Sequence, residues 1–190
     1  MYDISIFEWE LSKIKNPNIK EFTIKSIEQA PEYFWSVAAS SSGRYHPKTS
    51  LGEGGLVRHT KSATRIGIEL LSLEMFNHYT DDEKDIIVSA LLLHDSYKHG
   101  INGSKATITE HPLVAVEQIK SNKEICSLID DDILNKLLDG IASHMGSWNY
   151  DYKLKKVILP KPKGKLQNII HMCDYLSSRK CFVIDFDAYK

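Results

Sequence analysis

Residues 80–100 read TDDEKDIIVSALLLHDSYKHG, and this stretch decides the class of fold. Thr80 with Asp81, Asp82 and Glu83 forms a capping box, in which hydroxyl and carboxylate satisfy free amides of a helix's first turn. Apolar residues then recur at the spacing of one helical face, through Ile87 and Leu91 to His94. Gly100 stands where a left-handed residue ends a helix. The spacing predicts a helix running to about Lys98. Its longest apolar run, Ile86 to Leu93, is interrupted by Ser89 and is far too short to span a bilayer.

The same signals repeat on both sides. Asn16-Pro17 reads as an N-cap and first helical residue, opening a helix to about residue 29. Leu56 to about Phe76, Pro112 onward, Asp130 to His144 and Lys165 to about Lys180 are further helical stretches. Val157 to Leu159 suits a short strand, but no alternating stretch is long enough to build a sheet. The expected fold is all-α, a bundle of roughly seven or eight helices. One long polar loop, residues 40–55, carries Arg44, Tyr45 and His46. The whole chain, residues 1–190, reads as a single domain with its core at about 33–180. Residues 1–30 form amphipathic accessory helices that cover the core or pair with a second copy in a homo-oligomer.

Composition sets outer limits. With 190 residues, 42% hydrophobic and 26% charged, the chain is neither disordered nor fibrous. A net charge of −1 gives no global grip on duplex nucleic acid. The N-terminus lacks a basic stretch followed by an apolar segment, so no signal peptide or membrane association is expected. The 3 cysteines (Cys126, Cys173, Cys181) form no CxxC pair, which fits a reduced, cytoplasmic compartment and argues against a disulfide scaffold or a thiolate-held zinc.

The polar residues that continue the apolar stripes are the informative ones. His59 precedes Ala63, Ile66, Leu70 and Leu73 at helical intervals. His94 and Asp95 follow Ile87, Val88 and Leu91. His144 follows Leu134, Leu137 and Ile141, and Asp174 follows Leu166 and Ile170. A lone inward histidine is ordinarily a hydrogen-bonded core residue. Inward carboxylates are costlier, because an ionised acid away from water needs a cation or several donors. With no arginine or lysine on these stripes, a bound metal satisfies the set together. Imidazole and carboxylate without thiolate suit Mn, Fe, Co, Ni or Zn.

The order His59, His94-Asp95, His111, His144, Asp174 resembles the HD-domain superfamily of metal-dependent phosphohydrolases, an all-α fold named for that doublet. The likeness covers about residues 33–180. His94-Asp95-x-x-Lys98 resembles the family's extended doublet, and the helix bearing Asp174 (His171 to Leu176) is similar to its closing motif. His111-Pro112 resembles the histidine of the two-metal branch, as in HD-GYP phosphodiesterases, although the GYP motif is absent. The approach from Ala38 through Tyr45-His46 to Gly55 is similar to that of bacterial HD-domain exoribonucleases, without room for their separate OB domain.

The resemblance implies that His59, His94, Asp95 and Asp174 ligate a first ion and that His111 and His144 hold a second, with Asp95 bridging. It implies hydrolysis of a phosphomonoester or phosphodiester, in a nucleotide or short oligonucleotide, by a metal-activated hydroxide, with Asp95 and Lys98 as catalytic residues. Lys98 lies one turn beyond His94 and is expected to reach a phosphoryl oxygen. Arg44, His46, Arg58, Trp148 and His171 are expected around the substrate, Trp148 by stacking on a base. Gly52, Gly54 and Gly55 are candidates for letting backbone amides approach a phosphate. His78 and His99, at helix ends, read as structural. The same ligands suit a di-iron oxygenase, and a non-catalytic nucleotide-binding module is a third reading.

Overall fold

A computed structural model describes residues 3–40 and 42–189. Its eight α-helices are α1 (Glu8–Leu11), α2 (Pro17–Glu28), α3 (Gly55–Ser72), α4 (Asp81–Leu93), α5 (His111–Ser121), α6 (Lys123–Cys126), α7 (Asp131–Ser143) and α8 (Lys165–Ser177). The fold is all-α. Two strands of two residues, β1 (Tyr150–Asp151) and β2 (Lys156–Val157), pair antiparallel as a hairpin with Tyr150 opposite Val157. The strand expected at Val157 to Leu159 thus begins at Lys156 and ends at Val157.

Helix α4 is the axis. Every residue from Asp85 to Leu93 is buried, because α2, α3, α7 and α8 all pack against it. A helix apolar on all sides is one enclosed on all sides, which one-face periodicity does not capture. Its start follows the sequence: Thr80 Oγ1 accepts from the Glu83 amide at 3.2 Å, and Glu83 Oε2 accepts from the Thr80 amide at 3.0 Å. Its end does not. The α-helix stops at Leu93, and residues 94–100 wind more tightly through i+3 bonds such as Lys98 N–H to Asp95 C=O at 3.1 Å. That tightening sets Lys98 directly over Asp95. Gly100 closes the turn at φ +73°.

Helix α3 crosses α4 and α8 at Gly67, where a Cβ would stand 2.6 Å from Leu91 Cδ1. Its fully buried face is therefore His59, Ala63, Gly67 and Leu71, and the stripe does not end on Leu73, which is exposed beyond the helix. Gly140 of α7 meets Ile170 of α8 in the same way, at 2.5 Å. These two side-chain-free positions bring α3, α4, α7 and α8 together.

The N-terminal segment covers the core. Phe7, Leu11, Ile14, Ile19, Phe22 and Ile27 are buried in one apolar cluster that extends to Cys173. Asp85 anchors the segment by accepting the Lys15 and Asn16 amides at 3.0 and 2.7 Å. Arg65 holds Glu10 at 2.6 Å between the rings of Trp9 and Phe186. Among the described residues, no helix is long and apolar enough to cross a membrane.

Candidate metal centre and its cleft

The inward histidines and acids meet. His59 comes from α3, His94 and Asp95 from the end of α4, His111 from the start of α5, His144 from the end of α7 and Asp174 from α8. His59 and His94 Nε2 lie 3.1 and 3.5 Å from Asp174 Oδ1, and 3.3 and 3.4 Å from Asp95 Oδ2. His111 and His144 Nε2 lie 3.1 and 3.7 Å from the other oxygen, Asp95 Oδ1. Two groups result, His59–His94–Asp95–Asp174 and Asp95–His111–His144, each with ligand atoms within 4.8 Å of one another. Asp95 belongs to both.

The hydrogen bonds behind the rings decide their tautomers. His94, His111 and His144 each direct Nδ1 at the carbonyl three residues earlier (Leu91, Ile108 and Ile141), all at 2.7 Å. A carbonyl only accepts, so each Nδ1 carries the hydrogen. His59 Nδ1 lies 3.1 Å from Ser177 Oγ, whose own hydrogen goes to Asp174 C=O, so Ser177 accepts here too. In their neutral forms all four rings therefore aim an Nε2 lone pair inward, at carboxylates and at one another, with Nε2 pairs 3.3–3.4 Å apart. Asp95 Oδ1 has no hydrogen-bond partner among the described residues. Lone pairs facing lone pairs repel unless a cation lies among them, and imidazoles oriented by carbonyls are how proteins prepare metal ligands. The donor set could hold a metal ion.

Charge follows the same logic. Burial opposes charging His94, yet Asp95 and Asp174 pull its imidazole up to about 10, so without a metal a proton on its Nε2 takes the cation's place between the acids. Burial also opposes ionising Asp95, but Lys98 and His94 hold its carboxyl well below the usual range, and His59 and His94 do the same for Asp174. Burial pushes His144 down to about 4. Cys173, buried beside Asp174, has its thiol pushed up to about 12 by burial and contributes no thiolate. The donor set is nitrogen and oxygen only.

Lys98 corrects the expectation that no cation accompanies the acids. Its Nζ donates to Asp95 Oδ2, inside the protein and at the floor of the cleft. The pairing became possible when the chain tightened after Leu93. This cleft, of about 150 Å³, opens beside Asp174, and Lys98, His46, Trp148, Ser178 and Arg179 line it.

The expected substrate residues divide. His46 stands edge-on to His59 with centroids 5.1 Å apart, neither ring nitrogen has a partner among the described residues, and burial pushes its pKa down to about 3. Trp148 lines the cleft and stacks on Tyr45 at 6.1 Å. Arg44 is exposed over the Tyr45 ring, outside the cleft lining. Arg58 is elsewhere: its guanidinium donates to the Thr49, Leu51 and Glu53 carbonyls and ties the polar loop to α3. The glycine loop is a latch as well, since the Gly54 and Gly55 amides are taken by the Ser36 and Gly52 carbonyls at 2.8 and 3.1 Å. His171 positions another residue, with Nδ1 donating to the His144 carbonyl at 2.6 Å. His99 stacks on Tyr33 at 5.3 Å, and burial lowers its pKa, so packing and not a helix dipole holds it.

Arg179 escaped the sequence reading. It follows α8 in a polar stretch, and only the fold sets it against Tyr45, Trp148 and Tyr175. The available signal was its position five residues after Asp174, just past the end of α8 at Ser177. No protein-family model, curated protein or solved structure matches the chain.

Proposed function

We propose that this protein is a metal-dependent phosphohydrolase of the HD-domain type, acting on a nucleotide or a short oligonucleotide. The observation that carries it is the convergence of four imidazole Nε2 atoms on the two oxygens of Asp95, one of those oxygens without a hydrogen bond, at the floor of a cleft lined by Lys98. His59, His94, Asp95 and Asp174 would hold one ion, and His111 and His144 with Asp95 a second. When bound there, an ion of the Mn, Fe, Co, Ni or Zn kind would supply Lewis acidity that lowers the pKa of water and offsets charge on phosphoryl oxygens.

The chain's own groups do the rest. The carbonyls of Leu91, Ile108 and Ile141 and the Ser177 hydroxyl hold the imidazoles in one tautomer and orientation. Asp95 joins the two groups, so its loss disables both. The Lys98 ammonium, resting on Asp95, is within reach of an anionic oxygen laid against the same carboxylate. Burial excludes bulk water from all ligands except Asp174, whose side chain is 16% exposed and faces the cleft. Substrate entry therefore belongs on the Asp174 side.

Protein purified without chelator should carry about two transition-metal ions per chain by elemental analysis. It should release phosphate or a nucleoside product from a nucleotide panel with Mn or Co, and Asp95→Ala should abolish both metal and turnover. Metal well below one ion per chain would overturn the reading. Turnover that required iron and consumed oxygen would replace it with the oxygenase chemistry open to the same ligands.

A further inference from the structure

Arg179 differs from the other arginines around the core. Arg65 meets Glu10 at 2.6 Å and Arg58 meets three carbonyls, so each has anionic or carbonyl acceptors from the protein. Arg179 has neither. Among the described residues it enters no ion pair, and its acceptor is the Ser178 hydroxyl, reached by Nε at 3.2 Å and Nη2 at 2.8 Å. Three rings from separate segments hold the guanidinium instead: Tyr175 at 4.4 Å, Tyr45 at 5.0 Å and Trp148 at 5.3 Å. Ring faces attract the cation but take none of its in-plane N–H groups. The side chain is thus held by packing, with donors left over, beside the cleft that reaches Lys98 and Asp174.

A cation fixed before binding loses little further conformational freedom when it takes a ligand. A planar fork of N–H donors matches phosphate oxygens. The cleft, about 150 Å³, is below the roughly 300–1,000 Å³ of ordinary small-ligand pockets, so it admits a phosphoryl group and leaves the rest of a substrate along the rim. There Tyr45 and Trp148 are 45% and 48% exposed.

We propose that Arg179, supported by Ser178 and the Tyr45–Trp148–Tyr175 rings, is a second anion subsite that takes the phosphate neighbouring the one held over the Asp95 cluster. The preferred substrate then carries at least two phosphates, either linked as a diphosphate or adjacent along an oligonucleotide. This inference rests on the phosphohydrolase reading for the first phosphate but not for the second.

The test uses the full chain loaded with Mn, as wild type, Arg179→Gln and Arg179→Lys, with metal content and thermal midpoint checked for each. Calorimetry compares pyrophosphate with inorganic phosphate. Kinetics compare ADP and a 5′-phosphorylated dinucleotide with p-nitrophenyl phosphate, which has one phosphate. Arg179→Gln should weaken pyrophosphate relative to phosphate by about tenfold or more, and Arg179→Lys should recover part of it. The kinetic ratio should fall likewise, and whichever two-phosphate substrate falls further identifies the source. Equal weakening of both anions, or of neither, overturns the proposal. If pyrophosphate binds in an Arg179-dependent way but no ester is cleaved, the subsite stands and the phosphohydrolase reading falls. If p-nitrophenyl phosphate is cleaved and Arg179→Gln matches wild type on every substrate, the reverse holds.

Discussion

Each oxygen of Asp95 faces a different pair of imidazoles, and each imidazole is aimed by an acceptor on its far side. That arrangement extends one residue further out, to Gly146. The turn after His144 passes Gly146 at φ +58°, and a Cβ there would lie 2.2 Å from His171 Cε1. The His171 ring in turn donates to the His144 carbonyl. Gly146→Ala should cost about 1–3 kcal/mol in urea unfolding, from left-handed backbone strain plus displacement of His171. Metal content should fall with it, since His144 loses its support. Gly164→Ala is the control: nothing lies within 4 Å of its Cβ position and its φ of −108° is ordinary, so the change should cost only the poorer N-cap of α8, about 0.5–1 kcal/mol, and leave metal content unchanged.

At the scale of elements, the polar loop of residues 40–55 is held by one side chain. Arg58 projects from the first turn of α3 and gathers three loop carbonyls. It was expected at the substrate because its place before His59 resembles a site entrance, yet one residue along a helix turns a side chain by about 100°. His59 faces inward and Arg58 faces the loop. Arg58→Ala should lower stability by about 1–2 kcal/mol, as loss of charged hydrogen bonds in a half-exposed setting, and should expose the loop to limited proteolysis. Metal content should hold at the wild-type value. A phosphate-binding role would instead raise KM and leave proteolysis unchanged.

For the molecule as a whole, the six residues that could hold metal join every helix packed around α4 except α2, and α5 besides. Binding at such a junction stabilises the entire fold by mass action, by about 2.7 kcal/mol at a hundredfold excess over Kd. Adding Mn or Zn to chelator-treated protein should raise the thermal midpoint by several degrees. The increment should shrink as pH falls, because protons compete for the same Nε2 lone pairs. Calorimetric scans with and without metal, from pH 8 to pH 5, measure both. A midpoint indifferent to metal at pH 8 would mean that the cluster is a packed core and not a binding site.

Helical class, the capped starts of α2 and α4, and the stripes leading to His144 and Asp174 were legible in the residues themselves, because caps and periodicity are local physics. The face shared with His59, by contrast, runs through Gly67 and Leu71 and not through Ile66, Leu70 and Leu73. The meeting of those stripes could be inferred only from the cost of burying them unpaired. What tertiary structure alone decided was which cation each anion meets. Lys98 reached Asp95 through a tightened turn, Arg58 was drawn to carbonyls, and Arg179 was caged by rings from three separate segments. Contacts between residues far apart in the chain depend on how helices cross, and crossings here turn on whether Gly67 and Gly140 let their neighbours approach.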